Sequence, residues 1–151
     1  MGQGVLNGLV SRTESGLRCD GVPLEAIASS AGTPTYVYNA SSIRTQYGRL
    51  EGALHGVRHR LHYSVKANSN LAILRLLREL GAGVDIVSGG ELHRALAAGF
   101  TGEDVVFSGV GKTAAELEQA LAAGIKLFNV ESEGELRLLD EIAGALGARA
   151  P

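Results

Sequence analysis

Short apolar runs of strand length recur at nearly even spacing along the second half of this chain. They occupy residues 62–66, 84–88, 105–108 and 126–131. Apolar residues fill successive positions in these runs, which is typical of parallel strands buried on both faces. The pattern therefore predicts four parallel strands, each about as long as an ordinary strand.

A helix signal follows each predicted strand. Three of these signals combine a hydroxyl residue with a glutamate three positions later: Ser88/Glu91, Thr113/Glu116 and Ser132/Glu135. This spacing predicts capping boxes, in which the hydroxyl accepts from the helix's free amides and the glutamate reaches back to the capping residue. Glycines end the four helical runs, at Gly81, Gly99, Gly124 and Gly147. The repeated strand and helix unit predicts an α/β fold with a parallel sheet.

The first half of the chain is less regular. We predict a strand at residues 35–39, a helix at 42–54 and a short helix at 23–31, whereas residues 1–19 show no clear period. The strands and helices amount to four or five βα units, and an eight-fold barrel needs about 250 residues. The units could form about half of such a barrel, or an open doubly wound sheet.

Composition narrows the class of protein. The chain has 151 residues with 45% hydrophobic content, and its 14 basic and 16 acidic residues give a net charge of −2. No run of like charge indicates a nucleic-acid or membrane-surface partner. The single cysteine, Cys19, cannot form an internal disulfide, and neither a signal-peptide pattern nor a membrane-spanning apolar stretch is present. We therefore expect a soluble cytoplasmic protein.

The three lysines, Lys66, Lys112 and Lys126, differ in their settings. Lys66 ends a predicted strand, and in a barrel that end lies at the catalytic mouth. Its amine could form an imine with an aldehyde or ketone, but the spacing alone modestly favours a strand-end lysine that extends into water. Lys112 is expected in a solvated turn. Lys126 begins a strand, and residues at that end of a barrel strand contribute to stability rather than to catalysis.

Asp85 is the second candidate, because it interrupts a run that otherwise predicts a buried strand. A buried carboxylate is costly unless a partner compensates its charge, and Lys66 on the neighbouring strand could do so. Alternatively, Asp85 faces outward into a hydrogen-bonded groove. The residues alone leave both arrangements open.

Two other patterns suggest different chemistry. Residues 108–113 end like a phosphate-binding P-loop, but the first glycine of that motif would fall at Val106 inside the strand. A second pattern, Gly109-x-Gly111-x-x-Ala114 with Glu131 downstream, resembles a dinucleotide-binding fingerprint and indicates an alternative function, that of a nicotinamide-dependent oxidoreductase. That fingerprint normally opens its domain, whereas here it follows at least two βα units. The histidines at 55, 59 and 62 lack a nearby acidic or cysteine ligand, so we predict no metal site.

Residues 63–68, Tyr-Ser-Val-Lys-Ala-Asn, resemble the pyridoxal-phosphate attachment motif of the alanine-racemase-like barrel decarboxylases. Ser64 stands where alanine is commoner, which is a small-for-small exchange. Further stretches agree in the same order at residues 32–38, 85–92, 106–113 and 128–132. Ser-Gly-Gly-Glu and Ser-Gly-Val-Gly-Lys-Thr resemble the diaminopimelate decarboxylase branch more than the ornithine or arginine branches.

This resemblance implies a domain organisation and a function. Residues 1–31 would be a leader that packs on a C-terminal β domain, and residues 32–151 the first half of a (β/α)8 barrel, with the remainder absent. Lys66 would hold pyridoxal 5'-phosphate, and Asp85 would lie beside it. The implied reaction converts meso-2,6-diaminopimelate to L-lysine and carbon dioxide and belongs to lysine biosynthesis. The implied assembly is a homodimer. We expect the isolated chain to be inactive. The alternatives are an ornithine- or arginine-type decarboxylase and a non-catalytic homologue that binds pyridoxal phosphate.

Overall fold

The computed structural model describes residues 5–6 and 9–151. These residues form two compact units, one within residues 1–55 and one within residues 56–151. No helix of the described residues is long and apolar enough to cross a bilayer. The assignment of residues 1–31 to a second domain stays a prediction, and residues 1–4 and 7–8 of that leader lie outside the described part of the chain.

The first unit contains a small antiparallel sheet followed by two helices. Four strands pair in sequence order: β1 (Val5–Leu6), β2 (Val10–Thr13), β3 (Gly16–Cys19) and β4 (Val22–Pro23). Short strands of two to four residues carry too little alternation to be recognised from sequence. The helices α1 (Leu24–Ala31) and α2 (Ala40–Ala53) confirm the two helix predictions.

The strand predicted at residues 35–39 is wrong. No ladder is assigned to these residues, and the sheet of the first unit consists of β1 to β4. Tyr36 in this segment is 91% exposed. Aromatic and β-branched residues favour a strand when a partner strand pairs with them, and none of the described strands of this unit pairs with the segment. Asn39 instead caps α2, with its side chain accepting a hydrogen bond from the Ser42 amide at 2.6 Å.

The second unit is built on a parallel sheet. Its strands are β5 (His62–Ser64), β6 (Gly83–Ile86), β7 (Val105–Phe107) and β8 (Leu127–Phe128), and they lie side by side in that order. The helices between and after them are α3 (Leu71–Glu79), α4 (Gly89–Ala97), α5 (Ala114–Ala122) and α6 (Glu133–Ala145). All four predicted strands are therefore present, the last shorter than expected.

The helices cover one face of this sheet. Val84, Ile86 and Phe107 are fully buried in one core with leucines from all four helices. The residues that alternate with them, Asp85 and Val106, are half-buried and do not join the core. A doubly wound sheet reverses its strand order and carries helices on both faces. Strands in sequence order with helices on one side are instead the arrangement of a βα barrel. The expected α/β fold is confirmed.

The three predicted capping boxes have different outcomes. Thr113/Glu116 forms the complete box. Ser88 and Ser132 each cap their helices by accepting from the amide three residues on, but their glutamates do not close the box. Glu91 accepts from the Val87 amide, and Glu135 binds a lysine. A hydroxyl cap is a local interaction, whereas a long glutamate side chain is free to take a partner from elsewhere in the fold.

Candidate active site

Lys66 lies at the carboxyl end of β5. It is the middle residue of a short 3-10 turn (Val65–Ala67) that follows the strand directly. Its neighbour Val65 is fully buried and joins the core, whereas Lys66 is exposed. Among the described residues, no ion pair or hydrogen bond is made by the Lys66 ammonium. The end of β5 thus presents a lysine whose backbone lies in a regular turn and whose amine is accessible.

The loop that follows Lys66 is held from several directions. The Tyr63 hydroxyl donates to the Asn68 carbonyl at 3.1 Å, and Arg94 of α4 donates to the Ser69 carbonyl at 2.7 Å. Asn70 caps α3 by accepting from the Ala72 amide at 2.9 Å. These bonds fix the backbone on the carboxyl side of Lys66.

Asp85 occupies the centre of β6 with its side chain on the face away from the helices. Its register partner on β5 is Ser64, two residues before Lys66. Of the two arrangements that the sequence left open, the structure shows the hydrogen-bonded one. Asp85 Oδ1 accepts from the Ser108 hydroxyl at 2.5 Å, and no ion pair joins Asp85 to Lys66.

Ser108 and Asn129 extend this contact across the sheet. Each follows a strand, Ser108 after β7 and Asn129 after β8, and the Asn129 amide nitrogen Nδ2 donates to Ser108 Oγ at 2.9 Å. The carboxyl edge of the sheet therefore carries a row of polar side chains from three adjacent strands. Polar residues directly after parallel strands are the sequence signal that could have identified them.

The prediction of a solvated turn at Lys112 is wrong. Its side chain is 1% exposed, and its ammonium donates to Glu135 Oε1 at 2.7 Å and to the Gly109 and Asn129 carbonyls at 2.8 Å each. The ammonium also lies 5.5 Å from the centre of the Phe107 ring. Because a lysine ammonium has three protons, all of its donors are used within the protein. This lysine cannot serve the phosphate group of a nucleotide.

Glu116 connects the starts of two helices at the same edge. Its carboxylate accepts from the Gly89 amide at 2.9 Å, and from the amide and hydroxyl of Thr113 at 3.0 and 2.8 Å. The Gly89 amide is the main reason why the pKa of Glu116 lies below its ordinary value, and the two Thr113 donors add to the effect. Its negative charge also interacts favourably with the positive ends of both helix dipoles.

The side chains at this edge suit a cofactor that carries an aldehyde. An accessible amine on an otherwise ordered strand end can condense with the aldehyde, and the Asp85 carboxylate one strand away supplies negative charge. Within the described residues, no group of three or more histidine, cysteine or acidic side chains could hold a metal ion. The exposed Lys66 amine, with a carboxylate on the neighbouring strand, fits pyridoxal phosphate.

Several solved structures are similar to this chain. Diaminopimelate decarboxylase from Helicobacter pylori, complexed with L-lysine, is 44% identical with a TM-score of 0.80, over 84% of this chain and 32% of that one. The M. jannaschii enzyme is 37% identical with a TM-score of 0.87, over 95% of this chain and 35% of that one. A lysine/ornithine decarboxylase from Vibrio vulnificus, complexed with putrescine, is 28% identical with a TM-score of 0.73, over 80% of this chain and 33% of that one.

Sequence relatives agree with these structures. The diaminopimelate decarboxylase of Pseudomonas fluorescens is 52% identical over 136 residues, which are 89% of this chain and 33% of the relative. This chain thus spans about a third of the length of the curated relatives it matches. Residues 40–149 match the model of the pyridoxal-dependent decarboxylase family, pyridoxal binding domain. The match excludes the nicotinamide-dependent alternative, and the chain belongs to the pyridoxal-dependent decarboxylases.

Proposed function

We propose that this chain is the N-terminal portion of a decarboxylase that converts meso-2,6-diaminopimelate to L-lysine and carbon dioxide, with Lys66 as the lysine that binds pyridoxal phosphate. The observation that carries the proposal is the position of Lys66. Its amine is exposed at the carboxyl end of a parallel strand, on a turn whose backbone is fixed, and it has no competing ion pair among the described residues.

The side chains around Lys66 support the proposal. The Lys66 amine would hold the cofactor through its aldehyde, and a substrate amine would compete for the same position. The Asp85 carboxylate lies on the neighbouring strand, opposite Ser64, and would supply negative charge on the same side of the sheet. Pyridoxal phosphate, when bound, withdraws electrons from the substrate's α-carbon so that carbon dioxide can leave. The residues that grip its phosphate are not assigned to this chain.

Diaminopimelate is preferred over ornithine, arginine and lysine as the substrate. The diaminopimelate decarboxylases are more identical to this chain than the lysine/ornithine enzyme and superpose on it with higher TM-scores. The crystal complexes with L-lysine are complexes with the product that the proposed reaction would give. Lysine biosynthesis, a homodimeric assembly and a cytoplasmic location belong to the same proposal.

The isolated 151-residue chain is proposed to be inactive, because it spans about a third of its relatives. In the four strands of the second unit the face with Asp85 and Val106 is uncovered by helices, and β5 and β8 each lack one neighbouring strand. Unpaired strand edges favour association between chains. Purified chain is expected to release no carbon dioxide from meso-diaminopimelate above the rate of buffer alone.

A chimeric protein tests the activity directly. We define the chimera as residues 1–151 followed by the remaining two thirds of the Pseudomonas fluorescens enzyme, whose matching third is 52% identical to this chain. The chimera is incubated with pyridoxal phosphate, reduced with borohydride and digested, and the modified peptide is mapped. We expect the label on Lys66 and carbon dioxide release from meso-diaminopimelate.

The outcomes separate the alternatives. Label on Lys66 together with faster release from ornithine or arginine would move the chain to those branches. Label on Lys66 without release from any of these amino acids would support the non-catalytic homologue. Label on a lysine other than Lys66 would overturn the assignment of the site.

A further inference from the structure

A chain of hydrogen bonds ends on one oxygen of the Asp85 carboxylate. Asn129 Nδ2 donates to Ser108 Oγ at 2.9 Å, and Ser108 Oγ donates to Asp85 Oδ1 at 2.5 Å. The three side chains come from β6 and from the residues that follow β7 and β8, so they cross three adjacent strands. The family match does not assign a role to Ser108 or Asn129.

The chemistry of the three groups fixes the direction of these bonds. An amide nitrogen only donates, and an ionised carboxylate only accepts. Ser108 has one hydroxyl proton, and because its oxygen already accepts from Asn129, that proton points to Asp85. The second carboxylate oxygen, Oδ2, accepts no hydrogen bond from the described residues. One oxygen of Asp85 is therefore anchored, and the other is available to a group outside this chain of bonds.

The anchor is itself held rigidly. The Ser108 amide donates to the Ile86 carbonyl at 2.8 Å and the Asn129 amide to the Phe107 carbonyl at 2.9 Å, so both residues continue the sheet ladder. The carbonyl of Asn129 also accepts from the buried Lys112 ammonium. Because that ammonium is also paired with Glu135 inside the protein, a shift of the residue after β8 would break a hydrogen bond to a buried charge.

We propose that Ser108 is a positioning residue, which Asn129 holds in place and which turns the Asp85 carboxylate so that Oδ2 faces the Lys66 amine and the cofactor bound there. This inference rests on the proposed function, because it assigns Asp85 a role beside Lys66. A carboxylate on a single-bonded side chain rotates freely without such an anchor. Fixing it in advance removes that freedom before the cofactor binds.

A double-mutant cycle in the chimera tests the proposal. The dissociation constant of pyridoxal phosphate is measured from the absorbance band of the lysine-bound cofactor. We expect Ser108→Ala to raise this constant about tenfold, which is the scale of one hydrogen bond to a charged group. Ser108→Thr keeps the hydroxyl and is expected to remain within about threefold of the unmodified chimera. Ser29→Ala, an exposed serine of α1, is the matched control and should leave the constant unchanged.

The second arm of the cycle separates positioning from general stability. In an Asp85→Asn background, Ser108→Ala should change the dissociation constant by less than about twofold, because the carboxylate that Ser108 orients is gone. A folding defect caused by the loss of Ser108 would persist in that background. An equal rise in the dissociation constant in both backgrounds, or no rise in either, overturns the inference. In both cases an absorbance band from cofactor bound to Lys66 still supports the proposed function. An unmodified chimera without a band on Lys66 overturns both.

Discussion

Replacing Glu135 by leucine is expected to destabilise the protein by about 3–5 kcal/mol, because it leaves the buried Lys112 ammonium without its counter-ion. The two side chains are 1% and 7% exposed, so water cannot replace the lost carboxylate. The ammonium keeps its bonds to the Gly109 and Asn129 carbonyls. Those carbonyls are neutral, and they do not compensate a full charge.

The size of the expected loss of stability follows from the burial of the ion pair rather than from its N–O distance. The surface pair Arg137–Glu133 on α6 has a shorter separation, 2.5 Å against 2.7 Å, but its side chains are 74% and 78% exposed. Exposed pairs of this spacing contribute about 0.3–0.5 kcal/mol. Glu133→Leu is therefore a matched control, since both glutamates lie in the first turn of the same helix.

Urea unfolding of the cofactor-free chimera, followed by far-UV circular dichroism, measures both variants. A loss of about 3–5 kcal/mol would remove about a fifth or more of the stability of an ordinary domain, which is about 5–15 kcal/mol. Lys112→Met combined with Glu135→Leu should lose less than the sum of the two single variants, because each single variant leaves one buried charge unpaired. Equal losses for Glu135→Leu and Glu133→Leu, both under 1 kcal/mol, would refute the reasoning.

Three further predictions concern packing, pH and chemistry. Gly102→Ala should destabilise the chimera by about 1–3 kcal/mol, since its Cβ would overlap the carbonyl oxygens of Ala123 and Gly124. Gly144→Ala in α6, where nothing lies within 4 Å, should instead stabilise it by about 0.5–1 kcal/mol, and the two urea midpoints check the contrast. The pKa of Glu116 is lower in the folded state than its ordinary 4.5, so its contribution to stability is present above that pH and disappears as the pH falls through the folded pKa. Glu116→Gln should flatten the loss of stability below pH 4.5, and an unchanged acid dependence would contradict the assignment. Lys66→Ala should abolish the borohydride-stable label and reduce carbon dioxide release by at least about a thousandfold, whereas Lys126→Ala at an exposed site should change neither.

The elements of the second unit were predictable because their signals are local. Four apolar runs gave four parallel strands, and hydroxyl residues capped three of the four helices that follow. The glycines predicted to end these helices all have positive φ, a conformation that side-chain-bearing residues disfavour. These features depend on residues within a few positions of one another, so they can be recognised without knowing the fold.

Predictions that depended on partners from elsewhere in the chain were less successful. Residues 35–39 have strand-like composition but no strand beside them, and the pattern of a segment does not encode whether a free edge is present. Glu135 has the spacing of a capping box, yet its carboxylate binds a lysine 23 residues away. In both cases a local preference was replaced by an interaction available only in the folded chain.

The sequence by itself determined the parallel βα pattern and, through the segment around Lys66, the lysine proposed to bind the cofactor. Only the tertiary structure decided which residues surround that site. Asp85 bonds to Ser108 rather than to Lys66, and Lys112 is buried rather than solvated. The physical reason is that parallel strands place side chains from positions about 20 residues apart side by side at one edge of the sheet. Register and burial set those contacts, and local sequence patterns do not specify them.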